Sequence, residues 1–106
     1  MPKVLIQASY TAEGVNGVRK DGGSRRRAAA EELIKSVGGK VEAFYFAFGE
    51  TDAVVIADMP DNASTLAAWL AVSSSGLADI KTTVLITPEE MDQAAKKTVS
   101  YRPPGR

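Results

Sequence analysis

The sequence contains no cysteine and no histidine, and these two absences exclude several classes of chemistry. Without cysteine the chain can form no disulfide, no thiolate nucleophile, no iron–sulfur cluster and no thiolate zinc site. Without histidine it has no Ser-His-acid triad and no imidazole ligand for zinc or haem. Acid–base catalysis would depend on a carboxylate, a tyrosine or a lysine with a shifted pKa. Carboxylates can still hold hard cations, but we predict no metal site and no cofactor.

Long apolar runs are also missing. No run approaches the roughly 18 residues that span a bilayer, and the apolar run Val4–Ile6 is too short for the core of a signal peptide. We therefore expect a cytoplasmic protein with no membrane partner. The length of 106 residues, with 44% apolar and 25% charged residues, is typical of one globular domain. We predict that domain over residues 1–99 and a flexible tail over residues 100–106.

The net charge is zero, but the charges are segregated along the chain. Residues 1–40 carry eight bases and four acids, whereas residues 41–80 carry six acids and no base. Residues 81–106 carry five bases and three acids. Regions of opposite charge on one chain can meet across an interface between copies.

Apolar periodicity predicts four strands and three helices. The strands are predicted over Val4–Tyr10, Val41–Phe48, Ala53–Asp58 and Ile80–Ile86. The helices are predicted over Arg25–Val37, from the N-cap Asp61 to Ser73–Gly76, and from the N-cap Thr87 to about Thr98. The stretch Thr11–Gly23 is polar and glycine-rich, and we interpret it as one turn of helix followed by a break before an N-cap at Ser24.

Two helical stripes are predicted to face the core. They consist of Ala30, Leu33, Ile34 and Val37 in the first long helix and of Ala63, Leu66, Ala67 and Leu70 in the second. The pair Gly38–Gly39 is expected to end the first of these helices, because a positive φ is commonly needed there.

The element order β-α-β-β-α-β with an extra C-terminal helix predicts an α+β fold, a ferredoxin-like two-layer sandwich. Right-handed crossovers place both long helices on one face of the sheet. The strands over 41–48 and 53–57 are apolar on both faces, so the second face must also be covered. The C-terminal helix can cover part of it. A second copy packed sheet against sheet covers it more fully, so we predict a homodimer of the dimeric α/β-barrel type or a larger oligomer.

Short motifs along most of the chain resemble the GYD-domain family of small bacterial and archaeal proteins. They are Tyr10–Gly14, Ser24–Arg25, Gly38–Lys40, Phe44–Tyr45, Phe48–Asp52, Pro60–Asp61, Gly76 and Thr87–Glu90. The resemblance spans about Lys3 to Lys97. In the hairpin connection Thr51 stands where the family usually has tyrosine, so any chemistry of that tyrosine would be lost here. The resemblance implies a fold rather than an activity. The wider group of dimeric α/β barrels includes cofactor-free monooxygenases, haem-degrading enzymes, stress-induced proteins and small-molecule binding modules.

The hairpin connection supplies the first candidate site. Glu50 and Asp52 could lie at the rim of a pocket as a general base or as cation ligands, or they could simply complete a turn. Tyr45, on the strand before them, could direct its phenol into a cleft or could pack at an interface. Together with these carboxylates, Tyr45 is the candidate catalytic set.

The end of the first strand supplies the second candidate site. Tyr10, Thr11 and Gly14 precede a helix whose N-terminal amides could favour an anion. Arg26 and Arg27 could meet the same anion, or their side chains could extend into water away from the helix dipole. These five residues form the candidate ligand-binding set.

Nucleic acid is not an expected partner. The run Phe44–Phe46 resembles aromatic platforms that stack RNA bases, but no Lys or Arg lies between Val41 and Ile80 to meet phosphates. Three hypotheses remain open. The chain is a homo-oligomeric module that binds a small ligand, with an anion as one candidate; a cofactor-independent monooxygenase-like or isomerase-like enzyme; or a purely structural assembly unit.

Overall fold

The computed structural model describes residues 2–106 and consists of a four-stranded sheet with four helices. The strands are β1 (Lys3–Tyr10), β2 (Lys40–Phe46), β3 (Ala53–Asp58) and β4 (Ala78–Leu85). The helices are α1 (Ala12–Asp21), α2 (Gly23–Ser36), α3 (Asn62–Ser74) and α4 (Pro88–Ala95). No helix within the described residues is long and apolar enough to cross a membrane.

The sheet has the order β2-β3-β1-β4, and every neighbouring pair is antiparallel. This order confirms the predicted α+β, ferredoxin-like class. The central strand β1 pairs through Leu5 with Ile56 on one side and with Thr83 on the other. A bulge between Val41 and Ala43 shifts the register of β2 against β3.

The two faces of the sheet have different surroundings. One face lies under α2 and α3, and its residues Val4, Ala8, Val55 and Ala57 are buried. Alternate residues point to the opposite face, which we call the open face. Its central residues are Leu5, Val54 and Ile56, which are half-buried, and Tyr45, which is exposed. The prediction that the hairpin strands are apolar on both faces is therefore correct.

The buried core lies at one end of the sandwich. It is formed by the buried residues Val4, Ile34, Ala57, Met59 and Ala68, with partly buried Ile6, Leu33, Val37 and Val41 packed against them. At this end the chain leaves α2 through Gly38, whose φ of 86° confirms the expected glycine stop. A Cβ on Gly39 would lie 2.7 Å from the sulfur of Met59, so the backbone approaches the core closely there.

The start of the helical layer differs from the prediction. The stretch after β1 forms the ten-residue helix α1, rather than a single turn, with Thr11 as its N-cap. Gly22, with a φ of 83°, separates α1 from α2 and is the N-cap of α2, so the prediction of Ser24 as N-cap is wrong. A glycine in this conformation turns the chain between two helices with no intervening loop.

Helix α3 is also rotated relative to the prediction. Its N-cap is Asp61 as predicted, since the carboxylate accepts the Ser64 N–H at 2.7 Å and this hydrogen bond lowers the pKa of Asp61. The stripe Ala63, Leu66, Ala67 and Leu70 does not face the core, because all four residues are exposed. Ala68 is buried instead, with Thr65 and Val72 half-buried. The helix is apolar nearly all round, so its periodicity did not select the inner face.

The C-terminal helix does not cover the open face. The predicted capping box of Thr87 and Glu90 is present, but every residue of α4 is exposed. The chain measures 58 × 31 × 23 Å, with a radius of gyration of 17.2 Å, compared with about 13 Å for a compact domain of 100 residues. Helix α4 ends at Ala95 rather than near Thr98, and no further helix or strand follows as far as Arg106.

Two glycines of α1 provide a matched test of this packing. A Cβ on Gly14 would lie 2.0 Å from the carbonyl oxygen of Leu77, whereas a Cβ on Gly17 would meet nothing within 4 Å. We expect Gly14→Ala to lower the free energy of unfolding by about 1–3 kcal/mol. We expect Gly17→Ala to raise it by about 0.4–1 kcal/mol. Urea unfolding followed by circular dichroism measures both, and equal effects would contradict the close approach of α1 to Leu77.

Candidate functional site

A cavity of about 330 Å³ lies between the helices and the sheet and adjoins the buried core, since Ile34 and Ala68 belong to both. Small side chains leave this space open, since α2 contributes Ala29 and Ala30 and α3 contributes Ala68 and Ala71 to the lining. Residues of all four strands complete the lining. Cavities of this size with mainly apolar walls are typical of small-molecule sites.

Arg26 is the charged residue on the lining of this cavity. It lies in the first turns of α2, which begins directly after Gly22, and its side chain is half-buried. Among residues 2–106, the Nε of Arg26 is the buried side-chain nitrogen or oxygen that has no hydrogen-bond partner. A buried donor without a partner is costly, so a bound acceptor at this position would stabilise the protein.

Tyr10 also lines the cavity, and its backbone is fixed by Asp52. The amide of Tyr10 donates to Oδ2 of Asp52 at 2.8 Å, and the amide of Asp52 donates to the carbonyl of Ala8 at 2.8 Å. The β1–β3 ladder ends at the pair Ala8 and Ala53, so the carboxylate continues the hydrogen bonding one step further. Asp52 thus closes the hairpin onto the end of β1.

Glu50 occupies the same hairpin but is exposed. Its backbone carbonyl accepts the hydroxyl of Ser9 at 3.0 Å. Neither Glu50 nor Asp52 is among the residues that line the two cavities described here. The geometry of both residues therefore favours the interpretation as a turn.

Thr11 and Gly14 join the start of α1 to the segment before β4. The hydroxyl of Thr11 accepts a hydrogen bond from the amide of Gly14 at 3.2 Å. The backbone amide of Thr11 donates to the carbonyl of Leu77 at 2.9 Å. Gly14 is buried against that same carbonyl. Because Leu77 lines the cavity, these two residues position one of its walls without lining it themselves.

A second, more open groove of about 420 Å³ runs between α2 and the edge strand β2. It is lined by Tyr45 and Arg27 together with Glu31 and Glu42. Arg27 lies 3.7 Å from Glu31 as an ion pair one helical turn apart. Tyr45 is 70% exposed and lies on the open face of the sheet.

The candidate residues therefore separate into three groups. Tyr10 and Arg26 share the apolar cavity, and Tyr45 and Arg27 share the second groove. The remaining four, Thr11, Gly14, Glu50 and Asp52, shape the connections around the ends of the strands. Within the described residues, no three carboxylates come close enough together to hold a metal ion.

The alanine-lined walls of the cavity were not predicted from the sequence. The available signal was the pair of alanine-rich segments over 28–30 and 67–71, in helices that must pack on a sheet. Small side chains at such positions leave space between the two layers. Phe44 also lines the cavity, with its ring 5.3 Å from that of Phe46 in an edge-to-face arrangement.

One charged cluster lies at the edge of the open face. The ammonium of Lys3 donates to Glu42 at 2.5 Å and to Asp58 at 3.0 Å. These hydrogen bonds, with Glu42 the larger cause, raise the pKa of Lys3. The cluster joins β1, β2 and β3 and gives the apolar centre of this face a polar border.

Comparison with known proteins identifies the family. The family model described as GYD domain matches residues 5–95, so this chain belongs to the GYD domain family. A solved structure described as "crystal structure of FFRP-DM1" is similar at 17% identity, with a TM-score of 0.49. The match covers 81% of this chain and 100% of that one. No curated protein matches the sequence.

The two hairpin carboxylates can be compared directly. We expect Asp52→Ala to lower the free energy of unfolding by about 1–3 kcal/mol, because the amide of Tyr10 loses its acceptor. We expect Glu50→Ala to change it by less than about 0.5 kcal/mol, because that side chain is exposed. Thermal and urea unfolding provide the measurement, and a stability loss confined to Glu50→Ala would contradict these roles.

Proposed function

We propose that this member of the GYD domain family is a homo-oligomeric module that binds a small anionic ligand in the cavity between α2, α3 and the sheet. The observation that carries the proposal is Arg26, a half-buried cation with an unpartnered Nε, on the lining of an apolar cavity of about 330 Å³. Binding sites commonly combine apolar walls with a few polar groups that fix the orientation of the ligand. Arg26 and Tyr10 are the groups of that kind that this proposal uses.

The oligomer in this proposal forms through the open face of the sheet. Leu5, Val54 and Ile56 form a contiguous apolar centre across β1 and β3, since Leu5 pairs with Ile56. The cluster of Lys3, Glu42 and Asp58 borders this centre with charge. An apolar centre with a polar rim is the common pattern of a protein–protein interface.

A second copy is the occupant we propose for this face. Helix α4 is exposed along its whole length and leaves the face of its own chain uncovered. A two-fold axis would bring the same patch of two chains together and bury both at once. Two packed sheets would then form a continuous apolar layer about 10 Å thick.

Catalysis makes different demands on the same cavity. A cofactor-independent enzyme would need an acid–base group inside it, and Tyr10 is the titratable candidate residue on its lining besides Arg26. Glu50 and Asp52 lie in the hairpin connection, and Tyr45 lies in the second groove. Because the proposed cavity contains no carboxylate among its described lining residues, we favour binding over acid–base catalysis.

The proposed interface is tested by a matched pair of charge substitutions. Ile56→Lys places a charge at the centre of the open face, and Leu70→Lys places one on the exposed face of α3. We expect the wild type and Leu70→Lys to have about twice the chain mass of 11.2 kDa, and Ile56→Lys to have the single mass. Size-exclusion chromatography with light scattering at micromolar concentration measures this.

A monomeric Leu70→Lys together with a dimeric Ile56→Lys would assign the interface to α3 instead of the open face. A monomeric wild type would contradict oligomerisation altogether. Circular dichroism of each variant provides the folding control, since both positions exchange an accessible apolar side chain for lysine and are expected to keep the fold.

A further inference from the structure

We infer that the ligand of the cavity is an apolar monocarboxylate, with its carboxylate paired to Arg26 and its hydrocarbon part between the alanine faces of α2 and α3. The inference deepens the function proposed above and rests on the cavity being a ligand site. Three properties of the lining indicate this class of ligand, namely its charge, its donor geometry and its polarity.

The charge of the lining indicates that the ligand carries a single negative charge. Arg26 carries one positive charge, and the other described lining residues are all uncharged. A ligand with one negative charge would neutralise the site. A phosphate monoester would bring nearly two negative charges into an apolar space with one cation, and its desolvation would be poorly compensated.

The donor geometry indicates a carboxylate. The Nε–H and the adjacent Nη–H of a guanidinium form two parallel donors, which match the two oxygens of a carboxylate. In this protein the Nε lacks a partner and is itself buried, so the side chain of Arg26 must shift to present this edge to a carboxylate in the cavity. A ligand with one oxygen acceptor, such as an alcohol, would leave part of that edge unpaired.

The polarity of the remaining lining indicates a hydrocarbon body. Phe44, Leu33, Val72 and Ile80 lie around the cavity. Ser75 adds a hydroxyl, but this group already donates to the carbonyl of Val72 at 2.6 Å and accepts the amide of Leu77 at 3.2 Å. Besides Arg26, Tyr10 is thus the lining side chain with polar capacity to offer, so a polyhydroxylated ligand would lose more hydrogen bonds than it gains.

Octanoate and 1-octanol are suitable probes because they share a seven-carbon chain beyond the head group and differ in charge. Isothermal titration calorimetry measures their binding to the wild type, to Arg26→Gln and to Arg25→Gln. Arg25 is exposed and lies outside the lining, and Arg25→Gln removes the same positive charge as Arg26→Gln. Arg25→Gln is therefore the matched control. We expect octanoate to bind the wild type and Arg25→Gln equally, and to bind Arg26→Gln about tenfold or more weakly. We expect 1-octanol to bind more weakly than octanoate and equally to all three proteins.

The outcomes separate the two proposals. If neither probe binds the wild type, ligand binding in this cavity is contradicted along with the inference. If 1-octanol binds as tightly as octanoate and Arg26→Gln changes neither, the cavity is a site but not for a carboxylate. An equal loss of octanoate binding in Arg25→Gln would show a general charge effect and overturn the role of Arg26.

A second measurement does not depend on the probes. Because the free protein holds a buried donor without a partner, Arg26→Met should raise the melting temperature of the unliganded protein. Saturating octanoate should raise the melting temperature of the wild type by more than that of Arg26→Met. A lower melting temperature for unliganded Arg26→Met would show that Arg26 stabilises the fold and would overturn the inference.

Discussion

The structure depends on one constraint, which is that the central strand β3 is apolar on both of its faces. Strand β3 alternates between buried Ala53, Val55 and Ala57 on one side and half-buried Val54 and Ile56 on the other. A ferredoxin-like chain has only one layer of helices, so burial of one face leaves the other accessible. The free energy of burying that second face is available to a partner surface, and the proposed self-association rests on this constraint.

The space between the helices and the sheet is incompletely filled by side chains, and the unfilled part is the cavity. The large side chains Met59 and Ile34 fill the space at the Gly39 end, where the backbone approaches the core closely. Beside this core, with Ile34 and Ala68 on the border, the two helices present alanines, and the space they leave is bounded by residues of β1, β3 and β4. Denser packing there would stabilise the chain. A bound molecule with an apolar body would recover part of that stability. A negative charge on this molecule would pair with Arg26.

The sequence predicted the order of the elements along the chain, the hairpin, the glycine stop at Gly38 and the caps at Asp61 and Thr87, because each depends on local backbone chemistry. It did not predict which face of α3 is buried, because Leu66 and Leu70 satisfy the helical period as well as Ala68 does. It also did not separate Arg26 from Arg27. Three consecutive arginines look alike in sequence, and which of them lines the cavity depends on how α2 packs against the sheet. The pairing of Tyr10 with Arg26 in one cavity depends on packing between distant segments, which no local pattern encodes.

The central claim is that the two faces of one sheet have two occupants, a small ligand under the helices and a second copy on the open face. Native mass spectrometry of freshly purified protein tests both occupants in a single measurement. The account predicts a dimer, or a multiple of dimers, of the 11.2 kDa chain, with added small-molecule mass that is lost on activation in the gas phase. A bare monomer at micromolar concentration, with no added mass even after incubation with octanoate, would contradict it.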